Sequence, residues 1–232
     1  MSGFETTQWS MILNSSRDGG EGRLALDRLC RRYRAPVLAY LRRQGLANED
    51  AEDHTQAFFA HLLGKRLHEA ADPARGRFRS FLLGSLKNFL VSEHRRDHAG
   101  KRGGDAPHLP LEAIAEPDSH DTPELAFERE WAHALLLQAT RRLRDEAQAA
   151  GKEPLFRALQ GFLFEPPDAD DYARVAQQLG MGRNTVAVAV HRLRQRLQEL
   201  VAAEVADTVQ DPACVPDELS SLQNWLERRP AL

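Results

Sequence analysis

The stretch YARVAQQLGMGRNTVAVAVHRLRQRL, residues Tyr172–Leu197, reads as two short helices separated by a glycine. In the first helix Val175, Ala176 and Leu179 fall on one face, since they recur at helical spacing. Gly180 permits the sharp turn between the two helices, because glycine adopts left-handed backbone angles at little cost. This arrangement is typical of a helix-turn-helix.

The second of these helices has an apolar face and a basic face. Its predicted inward-facing residues are Val186, Val190, Leu193 and Leu197. We expect Asn184 to cap its first turn, and no acidic residue occurs between Arg183 and Arg196. A DNA major groove admits one helix, and cations beside it meet phosphates. The residues predicted to contact DNA are Arg183, Asn184, Thr185, Ala187, Val188, His191, Arg192 and Arg196. The alternative is an ordinary helical hairpin with a solvated basic face.

Composition limits the remaining possibilities. The 232 residues are 42% hydrophobic and carry a net charge of −3, so any affinity for nucleic acid depends on local clustering of charge. Cys30 and Cys214 lie far apart and form no CxxC pair, so neither a zinc knuckle nor a disulfide framework is predicted. No apolar run has the length of a bilayer span and no secretory leader precedes the chain, which favours a soluble cytoplasmic protein that does not bind membranes.

Helical periodicity extends over most of the chain, and no strand alternation occurs, so we predict an all-α fold. We expect Pro36 to kink or divide the first helix. Gly, Pro and Asp interrupt the periodicity from Ala99 to Thr122, as in a flexible linker. The predicted parts are an N-terminal extension at 1–22, a helical domain at 23–98, a linker at 99–124, a second helical domain at 125–205 and a C-terminal tail at 206–232.

Two further stretches carry a family resemblance. DAEDHTQAFFAHLL (Asp50–Leu63) and DPARGRFRSFLLGSLKNFLVSEHRR (Asp72–Arg96) resemble the second conserved region of bacterial RNA polymerase sigma factors of the extracytoplasmic-function group of the sigma-70 family. The helix-turn-helix stretch resembles the fourth region of that group, and together the matches cover about residues 23–98 and 125–203. The resemblance implies a region 2 bundle and a region 4 helix-turn-helix that bind core RNA polymerase, at its clamp and flap, and promoter DNA.

In region 2 the resemblance implies two contact surfaces. An acidic helix docks on the polymerase clamp, here through Glu49, Asp50, Glu52, Asp53 and Gln56. The loop Ala71–Arg77 and the helix after it read the minus-10 element, while region 4 reads the minus-35 element. The minus-10 residues are Arg75, Arg77, Phe78, Arg79, Lys87, Asn88 and Arg95. Two alternatives stay open: the acids merely suit a helix N-terminus, and Phe78, like Phe81, falls on the apolar stripe and packs in the core.

Thr55 is a predicted phosphorylation site. Ala57 stands where the family usually has Glu, and a phosphate at Thr55 adds about −1.5 to −2 charges that can replace the missing carboxylate. The alternative is that Thr55 faces the core, because it shares a helical stripe with Ala51, Phe58 and Leu62. Three means of regulation stay open: a serine/threonine kinase, an anti-sigma factor and the terminal extensions of the chain.

Two rival functions differ from the sigma-factor interpretation. A free-standing helix-turn-helix regulator has the same DNA-contact helix but needs no polymerase. For an enzyme, His94 and His98 have a spacing that zinc ligands use, but no third ligand follows at a matching spacing, and no nucleophile motif or phosphate loop occurs. We therefore predict neither catalytic activity nor a metal or other cofactor.

Overall fold

The computed structural model describes residues 21–64, 78–100, 122–209 and 212–227, which contain eight α-helices and no strand. The helices are α1 Glu21–Arg43, α2 Asn48–Gly64, α3 Phe78–Gly100, α4 Pro123–Ala149, α5 Glu153–Leu159, α6 Ala169–Leu179, α7 Arg183–Ala206 and α8 Val215–Glu227. Two 3-10 turns lie at Gln160–Leu163 and Pro212–Cys214. This confirms the predicted all-α class for the described residues. Among these helices, none is long and apolar enough to cross a bilayer.

Helix α1 continues past Pro36, which is buried inside it. The expected division of the helix therefore does not occur. The buried apolar residues of α1 are Tyr33, Val37, Leu38, Tyr40 and Leu41. Burial of this face provides tertiary packing that can offset the hydrogen bond missing at the proline nitrogen.

The described residues form two compact units. The first contains those up to Ala134 together with those from Ala206 onward, and the second is Leu135–Val205. These bounds differ from the predicted domains, because residues 125–134 and the C-terminal tail belong to the first unit. The predicted linker lies largely outside the described residues.

Aromatic packing explains why the start of α4 belongs to the first unit. The Tyr33 ring lies 5.0 Å from that of Phe78, edge-on, and 6.3 Å from that of Phe127 in a stacked arrangement. Trp131, one turn after Phe127, is also fully buried. Large aromatic side chains dominate core energetics, so these contacts join α1, α3 and α4 into one core.

The second unit packs the helix-turn-helix on α5. Its buried core consists of Leu159, Val175, Ala176, Val186 and Val190, with Leu193 packed against it. Leu197 is buried farther along α7. The predicted apolar faces of α6 and α7 are therefore confirmed.

Local capping determines where α6 begins and ends. The Asp168 carboxylate accepts hydrogen bonds from the backbone N–H groups of Asp170 and Asp171. In turn, the Asp171 carboxylate accepts a hydrogen bond from the Asp168 backbone N–H. Such a capping box satisfies N–H groups that a helix start leaves unpaired. At the other end Gly180 has φ +62°, a left-handed conformation that ends the helix. The predicted turn at Gly180 is confirmed.

Candidate nucleic-acid interface

The predicted DNA-contact residues of the second unit lie along the first half of α7. Arg183, Asn184, Thr185, Val188, His191, Arg192 and Arg196 are exposed, and Ala187 is partly buried. Val188 is 50% exposed, so an apolar group is available for contact on an otherwise polar surface. One detail differs from expectation: α7 begins at Arg183, which places Asn184 within the first turn rather than at the cap.

The cations on this surface differ in whether an acidic side chain pairs with them. Arg183, His191 and Arg192 make no ion pair with any residue that the structure describes. Arg196 instead donates to both carboxylate oxygens of Glu146, each at 2.8 Å, and to Glu199 at 2.7 Å. Hydrogen bonds from Arg196 hold the pKa of Glu146 below its usual range. The basic surface is therefore strongest near Arg192, because two carboxylates already neutralise Arg196.

Arg194, to which sequence reasoning assigned no separate role, holds α7 to the segment that precedes α6. Its Nε donates to the Phe162 carbonyl and one terminal nitrogen donates to the Glu165 carbonyl, both at 2.8 Å. These acceptors are main-chain atoms about 30 positions away, so residue identity gives no signal for the contact. Arg194 therefore positions α7, and Arg192, two residues earlier, faces solvent.

Replacing Arg194 by glutamine should lower the free energy of unfolding by about 1–3 kcal/mol, since two charge-assisted hydrogen bonds are lost. Arg192→Gln removes the same charge from the same helix, but it should change stability by no more than about 0.5 kcal/mol. Urea unfolding of both variants measures the difference. Equal stabilities would show that the Arg194 contacts contribute nothing to holding α7.

In the first unit, the predicted minus-10 residues divide into buried and exposed groups. Lys87, Asn88 and Arg95 are exposed on α3. Phe78 and Arg79 are buried, at 2% and 7% exposure, so they do not form part of the surface of this unit. Arg75 and Arg77, together with the loop Ala71–Arg77, lie outside the described residues. The core alternative for Phe78 therefore matches its placement.

Arg79 belongs to a buried cluster. Its guanidinium pairs with Glu128 of α4 and lies 3.1 Å from the Glu218 carboxylate of α8. The same group stacks over the Trp131 ring, 4.2 Å from its centroid. Glu218 is only 1% exposed, so a carboxylate from the predicted tail is enclosed with an arginine predicted to contact DNA.

Lys87 also faces an acid of α4. Its Nζ lies 2.7 Å from the Glu124 carboxylate. Burial alone would raise the pKa of Glu124, but hydrogen bonds led by that from Lys87 outweigh this effect and the pKa lies below its usual range. The same hydrogen bond raises the pKa of Lys87. Both groups are therefore charged at neutral pH, and the lysine is paired.

The predicted docking residues lie on α2, on the side away from its buried stripe. Glu49, Asp50, Asp53 and Gln56 are exposed. Glu52 is partly buried and pairs with Arg34 of α1, which reduces its contribution to an acidic surface. Thr55 is 1% exposed and donates a 2.7 Å hydrogen bond to the Ala51 carbonyl. Thr55 therefore faces the core, as the alternative interpretation described.

No metal-binding group of three or more His, Cys, Asp and Glu residues occurs among the described residues. The two cysteines are free thiols, and burial, followed by the charge of Asp27, raises the pKa of Cys30 to about 12. Nucleophilic chemistry needs a thiolate, and this environment favours the protonated thiol of Cys30 at neutral pH.

Comparison of the chain with protein-family models, with curated proteins and with solved structures gives no match.

Proposed function

We propose that the chain is an extracytoplasmic-function-type sigma factor, which binds core RNA polymerase in the cytoplasm and directs it to specific promoters. The observation that carries this proposal is the exposed basic surface of α7 on a closed helix-turn-helix core. Arg183, His191 and Arg192 are available there for phosphates and base edges, and Val188 for a thymine methyl. The family resemblance of the sequence supplies the polymerase as partner.

The first unit supports the same proposal in two ways. Exposed acids on α2 offer a surface complementary to a basic element of the polymerase clamp. On α3, the amide of Asn88 is exposed beside Lys87 and suits reading of an unpaired base in the minus-10 element. Two separate surfaces, one acidic and one basic, fit a protein that joins an enzyme to DNA.

The decisive experiment is run-off transcription by purified core polymerase on a promoter library, with and without the protein. A sigma factor gives new, promoter-specific transcripts only when both are present. A free-standing helix-turn-helix regulator instead shifts the mobility of promoter DNA without polymerase and yields no transcripts with core enzyme alone. That second outcome would replace the sigma-factor proposal.

On the selected promoter, Arg192→Ala and His191→Ala should each reduce transcription by about 5- to 100-fold, since a good base contact is worth about 1–3 kcal/mol. Polymerase binding, measured by co-elution on gel filtration, should remain unchanged because neither substitution alters the acidic docking residues proposed on α2. Gln195→Ala, on the exposed side of the same helix, is the control. Normal transcription by both variants would remove the DNA-reading role of α7.

Phosphorylation of Thr55 by a serine/threonine kinase remains part of the proposal, but it has a structural condition. The hydroxyl is enclosed and bonded to its own helix, so a kinase reaches it only after α2 opens locally. An anti-sigma factor needs no such opening, since the exposed α2 and α7 surfaces are directly accessible. Kinase treatment followed by mass spectrometry, with Thr55→Val as the unmodifiable control, tests the first route.

A further inference from the structure

Carboxylates of the first unit pair with two α3 cations that the family resemblance assigns to the minus-10 element. Lys87 pairs with Glu124, and Arg79, two turns earlier on α3, pairs with Glu128. Because residue numbers rise along α3 as they fall along α4, the two helices meet antiparallel at these pairs. A phosphate group makes the same kind of charge-assisted hydrogen bond to lysine and arginine as a carboxylate does.

A third carboxylate comes from the C-terminal helix. Glu218 of α8 approaches the Arg79 guanidinium at two nitrogens, 3.1 Å and 3.3 Å away. With the Trp131 ring packed on one face, the Arg79 head group is enclosed by α4 and α8. Arg79 therefore cannot reach a phosphate while both helices hold these positions.

We infer that Glu124, Glu128 and Glu218 form an acidic cover over α3 that competes with nucleic-acid phosphates for Lys87 and Arg79. The inference rests on the proposed function, because it assumes that α3 contacts DNA. The cover has two parts of different strength. The Lys87–Glu124 pair is partly exposed, with side chains at 47% and 40% exposure, and such pairs open easily. Release of Arg79 requires displacement of a buried carboxylate and its helix.

This inference is testable on the full-length protein without polymerase. The measurement is the binding of a fluorescent 12-nucleotide single strand, followed by anisotropy over a range of salt concentrations. Glu124→Gln removes the cover at Lys87 and keeps the shape of the side chain. Glu130→Gln is the matched control, because Glu130 lies on α4 at a similar exposure of 35% and its ion pair is with His133, not with a cation of α3.

Glu124→Gln should bind the strand at least about threefold more tightly than Glu130→Gln, with a salt dependence steeper by about 0.7 in log–log slope, as one added phosphate contact requires. Adding Lys87→Gln should abolish that gain. Glu218→Gln combined with Glu124→Gln should tighten binding further, and thermal unfolding shows whether this buried substitution preserves the fold. If Glu218→Gln disrupts the fold, the single variant Glu124→Gln, whose substitution is partly exposed, still tests the inference.

The outcomes separate the inference from the proposed function. If Lys87→Gln weakens binding but Glu124→Gln binds no more tightly than Glu130→Gln, α3 contacts DNA and the acidic cover is wrong. If Lys87→Gln has no effect in either background, α3 does not contact the strand through Lys87, and the proposed minus-10 role of this residue fails together with the cover. A gain that depends on Lys87 supports both.

Discussion

Thr55→Glu should lower the free energy of unfolding by about 3–5 kcal/mol, the usual cost of a buried charge without a partner. Thr55 lies in the buried stripe of α2 with Ala51, Phe58 and Leu62, and its hydroxyl is satisfied by the Ala51 carbonyl. A glutamate there loses that bond and brings a carboxylate into an apolar core. Typical domains are stable by about 5–15 kcal/mol, so this substitution removes a large share of the free energy of unfolding.

Ala57→Glu is the matched control, since it adds the same charge two residues later at an exposed position. Its effect on stability should stay within about 0.5 kcal/mol. It also restores the carboxylate that the sigma-factor resemblance leads one to expect, so it should raise the rate of association with core polymerase. Urea unfolding and surface-bound polymerase kinetics measure the two effects. Equal stability of the two variants would show that Thr55 is not enclosed in solution.

This comparison affects how a phosphorylation test is interpreted. A glutamate at Thr55 is commonly used to imitate phosphate, but here loss of transcription would follow from unfolding alone. Faster association of Ala57→Glu with polymerase, without the same gain in Thr55→Glu, would mean that the missing charge matters on the exposed side of α2. In that case, a phosphate on Thr55 is expected to act by disrupting the packing of α2 rather than by replacing the missing charge.

Local patterns predicted much of the fold. The apolar spacing in α6 and α7, and the glycine between them, depends only on neighbouring residues, and the structure confirms both. The alternative in which Thr55 faces the core came from the same spacing, and the burial of Thr55 agrees with that alternative. Helical periodicity specifies which side of a helix is buried, so it carries this information without knowledge of the partner.

Contacts between distant residues were not predictable in this way. Arg196 was predicted to contact DNA because no acidic residue occurs between it and Arg183. In the structure it pairs with Glu146, which is 50 residues away in the sequence. Arg79 was assigned to the minus-10 element by the family resemblance, but its partners are Glu128 and Glu218, the latter in the predicted tail. Sequence spacing gives the face of a side chain, and only the packing of helices decides which charges meet there.

Arg79→Met should lower the free energy of unfolding by about 3–5 kcal/mol, because it leaves the buried Glu218 carboxylate without its cation. The methionine fills a similar volume and retains contact with Trp131, so lost packing contributes little. Arg95→Met is the control: Arg95 is exposed on the same helix, and its replacement should change stability by no more than about 0.5 kcal/mol.

A double replacement, Arg79→Met with Glu218→Met, distinguishes an ion pair from general packing. Replacing Glu218 as well removes the buried carboxylate that Arg79→Met deprives of its arginine, while the Glu128 carboxylate, at 22% exposure, remains. The double variant should therefore be more stable than Arg79→Met alone, with a coupling energy of about 1–3 kcal/mol. Additive losses in urea unfolding would mean that Arg79 and Glu218 do not interact in solution. A transcription defect of Arg79→Met must be corrected for the folded fraction, measured by urea unfolding, before it is used to judge a DNA contact of Arg79. If urea unfolding shows that the double variant retains the fold, its transcription measures directly the effect of removing the arginine.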